Sequence, residues 1–153
     1  IDALSELELV GKRVLLFNYG ERSETLSETL LARRATVREF WLYRWRMPAD
    51  VAPLEALVRS ILRHEVDALA VTCQIQFRHL YRVAEQVELE TGLIRALNEH
   101  VLVGAVGPTS RAIVAAYGVR RHVVPEHPKM GPLVIALMRQ LSANRQSTDR
   151  RDS

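Results

Sequence analysis

Cysteine is almost missing from this chain: Cys73 is the only one in 153 residues. No intrachain disulfide can form, and a cysteine-rich metal site is excluded. A reducing cytoplasm is the expected location. Long apolar runs are missing as well. None approaches the roughly 20 residues that a bilayer-spanning helix needs, and no signal peptide is expected ahead of the first strand. Aromatic residues make up only 6% of the chain, so the core must rest on Leu, Val, Ile and Ala. The formal charge is just +3, with much of that surplus in Arg145, Arg150 and Arg151 near the end. So small a basic balance gives no reason to expect direct nucleic-acid binding, although it suits a small anionic ligand. There is no G-x-G-x-x-G and no G-x-x-x-x-G-K-[ST], hence no support for a nucleotide site. The chain starts at Ile1 rather than Met, and is expected to be a piece of a longer protein.

What is present is ordinary for a globular protein, with 48% hydrophobic and 25% charged residues, enough for one domain with a real core. Val14 to Phe17 is an apolar run that ends in Asn18-Tyr19-Gly20, a strand and its turn. Ser23 is placed to cap a helix carried by Leu26, Leu30 and Leu31. Val37 to Tyr43 reads as a second strand, and Leu54, Leu57, Val58, Ile61 and Leu62 as an amphipathic helix. Val66 to Thr72 is apolar almost throughout, as a strand covered on both faces should be. A helix is expected over 75–90, a short helical turn over 94–99, a strand over 101–106 and a helix over 111–117 stopped by Gly118. His122 to Val124 gives a fifth strand and Pro132 to Leu141 a closing helix.

Strands alternating with helices predict a flavodoxin-like, five-stranded, mostly parallel α/β sheet with helices on both faces. Residues 1–10 are expected to be a linker or N-terminal extension, 11–141 the domain and 142–153 a flexible polar tail. In such a sheet ligands bind beyond the carboxyl ends of the strands. That places Asn18, Tyr19 and Gly20, then Thr72, Cys73 and Gln74, then Gly107, Pro108, Thr109 and Ser110 along one rim.

Each of these groups has two readings. Gly107 lets backbone approach a ligand, Pro108 stiffens the turn, and Thr109 or Ser110 opens a helix whose free N–H groups favour an anion. Equally, Thr109 simply caps that helix. Thr72, Gln74 and Gln76 can hydrogen-bond a polar ligand, but such residues are more often caps and turn groups. Cys73 has no activating partner nearby in sequence and reads as a small buried thiol. His127, in the loop from Pro125 to Pro128, either helps hold an anion or is an exposed loop residue. Tyr43-Arg44-Trp45-Arg46 either grips carboxylates or is edge packing with long arginine stems. The five histidines lack metal-ligand spacing, and no catalytic triad or carboxylate dyad stands out.

Taken in order, these segments resemble the uroporphyrinogen-III synthase family. Gly11-Lys12-Arg13-Val14-Leu15-Leu16, the Gly20 turn, Leu26 and Leu30, Val37 and Tyr43 are similar to its mid-chain segment. Val66-Asp67-Ala68-Leu69-Ala70-Val71-Thr72 resembles its strand ending in Phe-Thr-Ser, and Val103-Gly104-Ala105-Val106-Gly107-Pro108-Thr109-Ser110 resembles its Ala-Ile-Gly-Pro-Thr-Thr segment. Val123-Val124-Pro125-Glu126 with Met130-Gly131-Pro132-Leu133-Val134 resembles its closing segment. The likeness spans 11 to about 141. Cys73 stands in place of serine, Ser110 in place of threonine, and Arg34 where a helix-ending glycine is usual.

The resemblance implies two flavodoxin-like lobes with hydroxymethylbilane in the cleft between them, closed to uroporphyrinogen III with inversion of the last ring and loss of water. It implies no metal and no organic cofactor. Tyr43 matches the tyrosine that assists loss of the hydroxyl, while Thr72, Cys73, Thr109 and Ser110 match the cleft pairs. Residues 11–45 would belong to one lobe and 50–141 to the other. They would either join in a single five-stranded domain or exchange in a swapped dimer; the remaining half of a parent protein is the other possible partner. The isolated piece is expected to be a weak lyase or inactive. The alternative is a non-catalytic ligand-sensing domain of a transcriptional regulator, with a purely structural role ranked last.

Overall fold

A computed structural model describes Leu4 and residues 6–149. The chain divides into two units, the first ending at Arg46 and the second beginning at Met47.

The first unit is a single β-α-β turn of chain. β1 (Arg13–Tyr19) and β2 (Thr36–Tyr43) pair in parallel, with α1 (Glu24–Ala32) as the crossover. Leu9, Leu30 and Ala35 are buried, with Leu4, Val14, Leu26 and Val37 packed against them. Side chains alternate along β1 as the pleat requires. Val14, Leu16 and Asn18 are buried or half-buried, whereas Leu15, Phe17 and Tyr19 are exposed.

The second unit carries β3 (Ala68–Val71), β4 (Leu102–Ala105) and β5 (His122–Val123), parallel and in that order. α6 (Met130–Asp149) lies on one face, where Leu133 and Leu137 meet Leu102 of β4. The other face belongs to the larger core, in which Val103 and Ala105 join residues of α2 (Ala52–Leu62), α3 (Gln74–Gln86), α4 (Glu90–Glu99) and α5 (Pro108–Ala116). β4 therefore alternates: Leu102 and Gly104 toward α6, Val103 and Ala105 toward the helices.

The five-stranded sheet expected from the sequence is not formed. The strands divide into a two-stranded and a three-stranded sheet. Alternation of strands and helices fixes which segments are strands, but pairing is a long-range choice that periodicity does not encode. The bounds of four helices also differ. The helix expected over 75–90 stops at Gln86, and α4 runs a full ten residues instead of one turn. α5 begins at Pro108 with Gly107 as its N-cap, so neither Thr109 nor Ser110 caps it; proline is preorganised for a first helical position. α6 continues to Asp149, because nothing after Leu141 breaks a helix.

Four helices end in the same way. After α1, α2, α3 and α5 the chain turns through a left-handed residue: Arg34, His64, Glu88 and Gly118, with φ of 60°, 61°, 57° and 90°. Each is closed by a 6→1 bond, from Ala35 N to Leu30 O, Glu65 N to Ser60 O, Leu89 N to Ala84 O and Val119 N to Val114 O.

Candidate functional site

In the second unit the carboxyl ends of β3 and β4 lie side by side. Val71 pairs with Ala105, and Val106 N donates to Val71 O at 3.0 Å. The next residues open two helices, α3 after Cys73 and α5 after Gly107. Thr72, Cys73, Gln74, Gly107, Pro108, Thr109 and Ser110 are thereby brought to one rim, where two helix N-termini place positive dipole ends. Pro108 has no N–H, so the first free amides of α5 come from Thr109 and Ser110. Thr109 is exposed and Ser110 buried. Pro128 overlies Gly107: a Cβ added there would sit 3.0 Å from the Pro128 Cβ. The turn Lys129 N to His127 O, 2.8 Å, holds that loop, so His127 and Lys129 flank the residue touching Gly107. The cation at Lys129 was not singled out from the sequence; its place beside Pro128 in a proline-bracketed loop is the signal that marks it.

The other half of the rim is already hydrogen-bonded. Gln76 Oε1 accepts from Thr72 N (3.1 Å), Thr72 Oγ1 (3.0 Å) and Cys73 N (3.2 Å). Gln76 thus acts as a cap for the start of α3. Cys73 is half-buried and in no disulfide.

The first unit has its own group at the ends of β1 and β2. Tyr19 and Tyr43 meet edge to face at 6.0 Å, Tyr43 and Trp45 at 5.4 Å, and Gly20 N donates to Tyr43 O at 3.2 Å. Gly20 has φ of +80°, and the Trp45 indole occupies the space where a Cβ would stand. Arg44 lies 5.6 Å over the Trp41 ring. Asn18 points away from this group: it is buried, and its Nδ2 donates to Glu39 Oε2 at 2.9 Å. Glu39 also accepts from Ser27 Oγ at 2.7 Å and from Arg22. Hydrogen bonds from Arg22 first, then from Ser27 and Asn18, hold its carboxyl down at about 2. Sequence reasoning missed this network, because Glu39 between Arg38 and Phe40 looks like any polar strand residue.

Among the described residues, no group of three or more His, Cys, Asp or Glu side chains is placed to hold a metal ion, and no helix is long and apolar enough to cross a membrane. The chemistry on offer is anion binding by backbone amides in one unit and a tyrosine–tryptophan cluster in the other.

The family model for uroporphyrinogen-III synthase HemD matches residues 1–135. A putative uroporphyrinogen-III synthase of Methanothermobacter thermautotrophicus is 29% identical over 137 residues, which is 90% of this chain and 53% of that protein. The uncharacterized protein YjjA of Bacillus subtilis is 27% identical over 137 residues, 90% of this chain and 50% of its own. The crystal structure of wild-type uroporphyrinogen III synthase from Thermus thermophilus superimposes with a TM-score of 0.59 at 29% identity, covering 96% of this chain and 55% of that one. A selenomethionine mutant of the same enzyme gives 0.64 at 27% identity, with 88% and 52% covered. The chain thus spans about half the length of the relatives it matches.

Proposed function

The chain belongs to the uroporphyrinogen-III synthase family, and from that premise we propose that it supplies part of the cleft in which hydroxymethylbilane is cyclised to uroporphyrinogen III. Membership supports a role in tetrapyrrole biosynthesis. The observation carrying the finer reading is the adjacency of the two helix starts, α3 after Thr72-Cys73 and α5 after Gly107.

A linear tetrapyrrole bearing carboxylates needs fixed anion sites more than it needs a reactive side chain. The amides of Thr109 and Ser110 at the start of α5 supply one such site, and their dipoles are preorganised, so they need not reorient as the ring closes. The exposed Thr109 hydroxyl adds a hydrogen bond, while Ser110 is buried and contributes its amide. Tyr43, seated between Tyr19 and Trp45, is the proposed donor to the hydroxyl that leaves as water. Holding both ends of the substrate close enough to join is the larger contribution. The cleft is completed by the remaining half of a parent protein or by a second copy of this chain.

The experiment is a coupled assay in which hydroxymethylbilane is generated in situ and the porphyrin isomers are separated after oxidation. Type III isomer above the spontaneous type I background, reduced in Tyr43→Phe and in Thr109→Ala, supports the reading. If only type I forms both with this chain at every concentration and with its full-length parent, the synthase reading fails and a binding domain of synthase fold remains.

A further inference from the structure

The pairing of β1 with β2 slips by one residue at its carboxyl end. Phe17 pairs with Phe40 and Asn18 with Trp41, but Tyr19 pairs with Tyr43, so Leu42 has no partner opposite it. The slip decides where Tyr43 points. Phe40 stacks on Phe17, and regular alternation would put Leu42 on that same face and Tyr43 on the other. The extra residue turns Tyr43 back beside Tyr19, whose ring it meets edge to face. Bulges recur beside working sites because they re-aim a side chain in this way.

A re-aimed side chain must also be held. Among the described residues no hydrogen bond engages the Tyr43 hydroxyl, so packing sets the direction of the ring. Tyr19 meets that ring at 6.0 Å and Trp45 meets it at 5.4 Å, with the indole at 88° to it. Trp45 lies two residues beyond the end of β2 and needs an anchor of its own. Gly20 is that anchor. The indole fills the space where a Cβ would stand, and a φ of +80° favours glycine there in any case. Gly20 N also donates to Tyr43 O at 3.2 Å. One glycine thereby ties down both the backbone of Tyr43 and the ring that steadies its side chain.

We propose that Trp45 is a positioning residue for Tyr43: seated on Gly20, it holds the phenol in the direction from which the hydroxyl donates. The inference rests on the role proposed above for Tyr43 and extends it to a residue that need not touch the reacting atoms. A proton donor has to come within about 2.6–3.2 Å of its acceptor. A displacement of about 1 Å costs on the order of a hundredfold in rate. An edge-to-face pair supplies orientation through the quadrupoles of its rings, which an aliphatic side chain of similar bulk does not. The aromatic character of Trp45 is therefore what matters.

The test measures kcat and KM for type III isomer formation in the chain and in its full-length parent. Trp45→Ala should lower kcat at least about tenfold while KM stays within about twofold. Trp45→Phe should recover most of the loss and Trp45→Leu should not. In a Tyr43→Phe background Trp45→Ala should cost nothing further, because its effect passes through the phenol. With Trp41→Phe leaving Trp45 as the only tryptophan, Gly20→Ala should shift the emission to the red and lower kcat as Trp45→Ala does. If Gly20→Ala fails to fold, the Trp45 series decides. An active parent whose kcat is indifferent to Trp45→Ala overturns the proposal and leaves the synthase reading standing. So does a Trp45→Ala that raises KM alone, which would make Trp45 a contact of the substrate, or one that costs as much again in Tyr43→Phe. If neither the chain nor the parent makes type III isomer, the synthase reading falls and this inference falls with it.

Discussion

The guanidinium of Arg22 closes on the carboxylate of Glu39, with Nη2 to Oε1 at 2.7 Å and Nε to Oε2 at 3.0 Å. Ser27, fully buried on α1, donates to the same carboxylate, so β2, α1 and the turn after β1 meet at one charge. Glu39 titrates near 2 in the fold, against an ordinary value of 4.5. The unfolded chain therefore binds the extra proton between these values. The stabilisation is complete above about 4.5 and is lost as pH falls toward 2. Both tryptophans, Trp41 and Trp45, belong to this unit, so their fluorescence reports on it alone. Acid titration should show their emission shifting in that window, and Glu39→Gln should remove the pH dependence. An unchanged titration in Glu39→Gln would show that the pair does not hold the unit.

Gln76 offers one oxygen to three donors at the start of α3. Gln76→Ala leaves Thr72 N and Cys73 N to solvent and should cost about 1–2 kcal/mol in urea unfolding of the second unit. Gln76→Glu keeps the acceptor and adds a charge favourable to the helix N-terminus, so it should be neutral or stabilising by about 0.5 kcal/mol. Destabilisation by both changes would mean that the amide NH₂, not the oxygen, is what matters.

At Gly104 a new Cβ would meet Leu133 Cδ1 and Leu137 Cδ1, both at 2.9 Å. These are the far ends of leucines, which can turn aside, so Gly104→Ala should cost no more than about 1 kcal/mol. Gly104→Val adds two methyls that have nowhere to go and should cost about 2–3 kcal/mol. Far-UV circular dichroism in urea would read both. Equal costs would argue that α6 is held loosely.

The parts of this fold that were legible in the sequence are those written locally. The apolar runs at 14–17, 66–72 and 101–106 give three strands, and Gly118 gives a helix stop. The rim at Thr72-Cys73 and Gly107-Pro108 was legible too, because apolar strands there give way abruptly to polar, helix-starting residues. What was not legible depends on distant partners. No local pattern says that β2 ends its sheet with two strands, or that Glu39 turns inward to Arg22 and Ser27. The break after Gln86 was hidden for another reason: the residue that turns the chain there is Glu88, with none of the glycine signal present at Gly118.

Arg34 turns the same kind of corner without glycine. It sits at φ of 60° after α1, with Arg34 N bonded to Leu31 O at 2.9 Å and Ala35 N to Leu30 O at 3.1 Å. A side chain in that conformation costs about 1–2 kcal/mol, and glycine removes the cost while losing about 0.5–1 kcal/mol through the freer unfolded chain. The net gain for Arg34→Gly should be about 0.5–1 kcal/mol, read by tryptophan fluorescence in urea. Glu88→Gly should give a similar gain in the second unit. His64→Gly should give less, because the His64 ring stacks on His100 at 3.9 Å and that contact would be lost. A loss of stability in Arg34→Gly would mean that its side chain holds the corner, and would overturn the conformational account.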